Sequence, residues 1–165
     1  MFFSDKVLIL HGIESKNIYD MIGKWFEVKV ALKRTLEDGF QKLVKEIYLV
    51  EALNFTEAET RTLEELRVYG DISVVGIKHC DASELVDSHN SEDGFWYKVK
   101  LSMLSIDESK GKEKKVAVHL YVRAKDFKGA VSNVEAHMST SAMDYTIASV
   151  SETAIMDVFD YKPRE

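Results

Sequence analysis

The octets GKWFEVKV (residues 23–30) and GFWYKVKL (residues 94–101) carry Gly, Trp, Val and Lys at matching places. A recurrence of this kind decides the architecture before any element is assigned, because self-similarity at a fixed spacing marks a folding unit written more than once. The match resumes downstream, where Val44 to Ala58 aligns with Val116 to Ala130; Val44/Val116, Val50/Val122, Ala52/Ala124, Phe55/Phe127 and Ala58/Ala130 are identical. Nine identities fall in these twenty-three positions, where average residue usage gives roughly one or two. A sparser third block sets Asp71 to Lys78 beside Asp144 to Ser151, and Leu85-Val86-Asp87 beside Val158-Phe159-Asp160.

Periodicity gives the repeated blocks their shapes. GKWFEVKVALKR alternates with period two, a turn signal follows at Glu37-Asp38-Gly39, and QKLVKEIYLVEA is strand-like again, so a hairpin is expected. Asn54 to Leu66 reads as a helix with Thr56 and Glu59 at capping-box spacing and Phe55, Ala58, Leu63 and Leu66 as its apolar stripe. In the second copy Phe127, Ala130, Val131, Val134 and Met138 fall at helical spacing. ISVVGIKH and YTIASVSE close the copies as strands. The expected fold is α+β, an internal duplication of a ββαβ unit with two helices and antiparallel-rich sheets, joined through a shared or a face-to-face sheet.

Copy one spans residues 21–88 and copy two residues 89–165 in one pseudo-symmetric domain. Residues 1–20 have no counterpart and are expected to form a weakly packed extension. DASELVDSHNSED (residues 81–93) is polar and acidic and reads as a connector. The ending ETAIMDVFDYKPRE admits two readings, an acidic recruiting tail or a strand matching an internal segment of copy one.

A chain of 165 residues, 45% hydrophobic and 30% charged, is long enough to bury a core as one domain. The single cysteine, Cys80, excludes an intramolecular disulfide framework and fits a reducing, cytoplasmic setting. The apolar run Val7 to Leu10 is too short for a signal sequence, and no membrane segment is expected. A formal charge of −6 opposes a globally basic nucleic-acid binder but leaves any single face undetermined.

The runs WFEVKV, YLVEALNFTEAETRTLEEL and DYTIASVSETAIMDVFDY resemble a domain-of-unknown-function family of Bacteroidetes bacteria and the phages that infect them, including crAss-like phages. The resemblance covers about Met21 to Tyr161. It names no activity and implies a small protein of phage or mobile-element origin acting inside a bacterial host cell.

Strand alternation places Phe26, Val28, Val30 and Leu32 on one side of the first strand and Trp25, Glu27 and Lys29 on the other. In copy two it gathers Trp96, Lys98, Lys100, His119, Tyr121 and Arg123 on one face, extended by Lys110, Lys112, Lys114 and Lys115 in the hairpin loop. Aromatics interleaved with cations suit single-stranded nucleic acid, since bases stack on rings while Lys and Arg meet phosphates. The competing reading is burial: Trp25, Lys29, Ile47, Leu49, Trp96 and Tyr121 would then line a copy-copy or subunit interface, and the lysine loop would be a solvated turn. Catalytic and cofactor chemistry are not expected. His79, Cys80, Asp81 and His89 match no four-ligand metal spacing, Cys80 and His79 as strand neighbours point to opposite faces, and no phosphate loop, HExxH or GxSxG occurs. The leading expectation is a non-enzymatic single-stranded nucleic-acid-binding protein. The alternative is an oligomeric protein that binds a small ligand or a host protein to counter a defence system.

Overall fold

The computed structural model describes residues 24–160, so the expected extension at residues 1–20 lies outside the described residues. The chain runs through strands β1 (Lys24–Thr35) and β2 (Gln41–Ala52), helix α1 (Phe55–Leu66), a 3-10 turn (Arg67–Tyr69) and strands β3 (Ile72–His79) and β4 (Glu84–Val86). It continues through β5 (Phe95–Asp107), β6 (Lys112–Ala124), helix α2 (Phe127–Met138), β7 (Tyr145–Glu152) and β8 (Ile155–Phe159). This is the α+β composition that the alternation and helical spacings predict, but the order that appears twice is ββαββ, the expected ββαβ followed by one further short strand.

The strands form two separate four-stranded sheets, β3-β1-β2-β8 and β4-β6-β5-β7, and neither is shared. Each copy of the repeat therefore builds three strands of its own sheet and donates its last short strand to the other. β8 adds in parallel to β2 (Tyr48↔Asp157, Leu49↔Val158, Val50↔Phe159), and β4 adds in parallel to β6 (Glu84↔Leu120, Leu85↔Tyr121, Val86↔Val122). These registers pair Leu85 with Val158 and Val86 with Phe159 as equivalents, the sparse third block of the sequence match. The connector expected at residues 81–93 thus contains a strand, and Val158-Phe159 belongs to one as well. Three-residue strands in polar surroundings carry too little periodicity to be read directly. Accordingly the chain divides into two compact units, residues 82–153 and residues 24–81 with 154–160.

In the unit of residues 24–81 and 154–160, the core is one side of the hairpin under α1. Phe26, Val28, Val30 and Leu32 from β1 meet Tyr48, Val50 and Ala52 from β2 and Ala58 and Leu66 from α1, all buried. Each such aliphatic or aromatic side chain contributes about 1.5–3 kcal/mol on burial, which sets the hydrophobic rows above any polar contact in this unit. The helix starts two residues before the expected capping box. Asn54 is extended and its side chain accepts from Glu57 N at 2.8 Å, while Glu57 Oε2 accepts from Leu53 N at 2.8 Å. The pair satisfies one open amide of the first helical turn and the amide of the residue before the cap. The buried stripe is Ala58, Thr62 and Leu66. Thr62 occupies the centre expected for Leu63 because its hydroxyl donates to Ala58 O at 2.7 Å, which removes the cost of burying it.

Two contacts hold β8 in place. The Phe159 ring stacks on Tyr48 with centroids 5.3 Å apart, and Arg61 from α1 donates to the carbonyls of Glu51 and Asp160. Tyr48 also ends a charged network absent from the other unit. Arg34 donates to both carboxylate oxygens of Glu46 at 2.9 and 2.8 Å, Tyr48 Oη donates to Glu46 at 2.6 Å, and the Tyr69 ring lies under the guanidinium at 4.3 Å. The Arg34 hydrogen bonds hold the Glu46 carboxyl below its ordinary range, while burial, then the bond to Glu46, push the Tyr48 phenol up.

The unit of residues 82–153 repeats the plan with a purely apolar core of Val86, Val99, Leu101, Met103, Val118, Leu120, Val122, Val134 and Met138. Val118 and Leu120 stand where the first unit has Glu46 and Tyr48. Asp126 caps α2, accepting from Gly129 N at 2.7 Å. Asn133 takes the place of Arg61 and donates to Arg123 O at 2.9 Å, the carbonyl equivalent to that of Glu51. β3 and β7 each carry one extra residue at the same place, Val75 opposite Lys29/Val30 and Ala148 opposite Lys100/Leu101, so even the β-bulge is repeated.

β4 is fastened to α2 by Glu84 Oε2, 3.2 Å from His137 Nε2. The hydrogen bond to Glu84 holds the His137 imidazole above its ordinary value of 6.5. Stability from a raised folded value is fully present below that ordinary value and is lost as pH rises through the raised one. Hydrogen-exchange protection at residues 84–86 and 120–122, taken relative to the intrinsic exchange rate at each pH, should therefore fall between mildly acidic and mildly alkaline pH, and E84Q should flatten that dependence. Protection indifferent to pH in the wild type would remove this latch. In the other unit, F159A should cost about 2–3 kcal/mol in a denaturant titration, below the range for a fully buried Phe because this ring is only half-buried; a change under about 0.5 kcal/mol would show the stack to be idle.

Candidate nucleic-acid interface

The face of each sheet away from its helix carries the residues singled out by alternation. In the β5–β6 pair, Trp96 lies across from Arg123, Lys98 from Tyr121, Lys100 from His119 and Leu104 from Lys115. The six expected residues do share one face, and Lys115 joins them. Lys112 and Lys114 fall on the opposite face by the same register, and Lys110 sits in the turn.

Sharing a face does not make the rings accessible. Trp96 and Tyr121 are 5% and 4% exposed, leaving neither ring face open to a base. Lys98 Nζ lies 5.9 Å from the Tyr121 centroid. Arg123 is held by the chain itself: its Nε donates to Asp93 O at 2.6 Å and its terminal nitrogen lies 3.7 Å from Asp87, fixing the segment that follows β4. Ser88 and Asp93 brace the same segment with a side-chain hydrogen bond. His119 is half-buried, and its carbonyl and amide meet Ser83. What stays open is Lys100 and the run Lys110 to Lys115.

On the β1–β2 pair, Trp25 faces Glu51, Glu27 faces Leu49 and Lys29 faces Ile47. Trp25 is 8% and Leu49 0% exposed, Ile47 is half-buried and Lys29 is exposed. The two Trp residues share a backbone arrangement too, since Trp25 O accepts from Cys80 N and Trp96 O from Thr153 N. Beside this face, Glu27, Lys29, Ile47, Val75, Gly76, Ile77 and Lys78 line a shallow cleft of roughly 310 Å³, crossed by the Lys78–Glu27 ion pair at 2.8 Å.

The feature that alternation missed is where the hairpins outrun their sheets. β3 pairs with β1 no further than Leu32↔Ile72, and β7 with β5 no further than Met103↔Tyr145. Beyond those points, one further bond from Leu104 N to Asp144 O aside, β1–β2 and β5–β6 pair only with each other, as two-stranded ribbons. Their ends carry exposed apolar side chains, Leu36, Phe40 and Leu43 on one and Leu104 and Ile106 on the other, with Phe40 72% and Ile106 71% exposed. The available signal was the length of the paired strands, 12 and 13 residues, against the 8 of β3 and β7.

Among the described residues, no three His, Cys, Asp or Glu side chains cluster so as to hold a metal ion; His79, Cys80, Asp81 and His89 do not converge. No helix among them is long and apolar enough to cross a membrane. With Trp25 and Trp96 both buried, tryptophan emission should be blue-shifted and weakly quenched by iodide. Free quenching of both would contradict the burial described here.

No match is found among curated proteins. A family model matches residues 24–161, which takes in every described residue, and the protein belongs to that family, Domain of unknown function (DUF4494).

Proposed function

We propose that the protein is a non-enzymatic, single-stranded nucleic-acid-binding protein of phage or mobile-element origin, working in the cytoplasm of a bacterial host and meeting the phosphate backbone along the β5–β6 ribbon. The observation that carries this reading is the exposed ribbon end with Lys110, Lys112, Lys114 and Lys115 clear of the sheet. Asp107 shapes the turn, accepting from Ser109 N at 3.0 Å and Ser109 Oγ at 2.6 Å, and with Glu108 and Glu113 it leaves residues 107–115 one positive charge in excess. On the face it shares with Lys115, Lys100 continues the track onto the sheet, while Lys112 and Lys114 stand on the other face of the ribbon. Because Trp96 and Tyr121 are buried, this contact is electrostatic: it neutralises phosphates and reads no sequence.

An electrostatic track has a measurable signature. Binding of a labelled oligo-dT should weaken with salt, and replacing Lys112, Lys114 and Lys115 with Ala should reduce the magnitude of the log K against log salt slope by roughly 2, at about 0.7 per phosphate contact on a single strand. A wild-type affinity indifferent to salt, or a slope unchanged in the triple variant, would overturn the reading.

A second reading has its own support in the cleft lined by Glu27, Lys29 and Lys78, where cations and Ile47, Val75 and Ile77 together fit a small amphipathic anion. Native mass spectrometry after incubation with cell extract would show a retained small molecule, lost in K29E; a clean apo mass leaves the nucleic-acid reading alone.

A further inference from the structure

We infer that Phe40, at the end of the β1–β2 ribbon, is the base-stacking residue of the protein, the part that burial denies to Trp25 and Trp96. The inference rests on the nucleic-acid reading above and adds a second contact on a different ribbon. Phe40 is the most exposed aromatic side chain among the described residues, and it stands on a pinned backbone. Its N–H donates to Asp38 Oδ1 at 3.1 Å, its carbonyl accepts from Leu36 N at 2.8 Å, and Gly39 N donates to Leu36 O at 2.9 Å. Gly39 makes this turn possible with φ +82°, a conformation that costs glycine little. With the backbone pinned, only the two side-chain torsions of the ring remain to be ordered when it captures a base, so less of the stacking energy is lost to ordering the turn.

The surroundings select the partner. Leu36, bonded to the Phe40 backbone, adds exposed apolar surface at the turn, and the register sets Lys42 with Arg34 on one face of the ribbon and Lys33 with Leu43 on the other, both lysines exposed. Residues 33–45 hold four cations against two carboxylates in a chain of net charge −6. Arg34 is paired with Glu46, and Asp38 accepts from the Phe40 amide while keeping its charge, so Lys33, Lys42 and Lys45 stand against Glu37 and Asp38. An exposed aromatic next to cations on an otherwise acidic protein is complementary to a polyanion whose bases are unstacked. A duplex keeps its bases covered and offers the ring nothing to stack on.

The test compares the full chain and its F40A and F40W variants on two labelled oligomers of equal length, oligo-dT and an abasic deoxyribose-phosphate chain. Phe40 is exposed and its ring makes no core contact, so the variants should fold with unchanged circular dichroism. The wild type should prefer oligo-dT to the abasic chain. F40A should lose about 5- to 100-fold on oligo-dT with abasic binding unchanged, and F40W should restore affinity with its new, exposed tryptophan quenched on binding. If the wild type binds oligo-dT and F40A binds it equally well, the stacking inference is overturned while the phosphate-track reading survives. If the wild type binds neither oligomer, both fall. Phe40-dependent sedimentation with phosphatidylserine vesicles in that case would assign the ribbon end to a lipid surface.

Discussion

The architecture turns on one constraint: the outer edges of β2 and β6 need a parallel partner that a ββαβ copy cannot supply to itself at short range. Within a copy the hairpin and the strand after the helix give the order third-first-second, which leaves the second strand at the edge. A parallel neighbour for that strand requires a crossover connection rather than a tight turn. The chain meets the requirement by sending the last strand of each copy to the other copy's sheet, β4 to β6 and β8 to β2. Edge amides that would otherwise template association with another chain are partly covered in the same step.

Much of the polar detail in both units serves this arrangement. A parallel strand of three to five residues has few ladder bonds, so side chains reinforce its far end. Arg61 holds the carbonyl of Asp160 in one unit, and Arg123 reaches Asp87 at the equivalent place in the other. The same logic explains why Arg123, which alternation assigns to a cationic face, contributes little free charge there. A residue facing outward on a strand belongs to solvent only if no other segment claims it, and strand periodicity cannot reveal such a claim.

That limit separates what was legible from what was not. The rows Phe26-Val28-Val30-Leu32 and Val99-Leu101-Met103 obey period two without interruption, so the hairpins and the helices are readable from residues alone. The side on which each Trp falls is readable for the same reason. The destination of Leu85-Val86 and Val158-Phe159 is not, because a short strand's pairing partner is set by tertiary contacts and its local pattern is indistinguishable from a loop. Helix starts lie between these cases. Asn54 and Glu57 satisfy the cap rule as well as Thr56 and Glu59 do, and only the extended backbone at Asn54 decides between them.

The differences between the two units bear most directly on function. Both keep the bulge, the caps, the buried Trp and the donated strand, so those features belong to a common folding requirement and say nothing of a ligand. Two of the differences involve charge or exposed apolar surface. On the helix side, Arg34, Glu46 and Tyr48 form a half-buried ionic network where the other unit has Ser105, Val118 and Leu120; its hydrogen bonds are mutually satisfied, and burying it without them would cost several kcal/mol. Internal partners this complete leave little for a ligand to add. At the ribbon ends, by contrast, one unit carries Leu36, Phe40 and Leu43 and the other a lysine-rich turn, with neither set held by the core. Side chains that differ between repeats and contribute nothing to packing are the ones whose chemistry a partner is best placed to use, which is why the proposed contacts fall on the ribbons and not on the sheet faces.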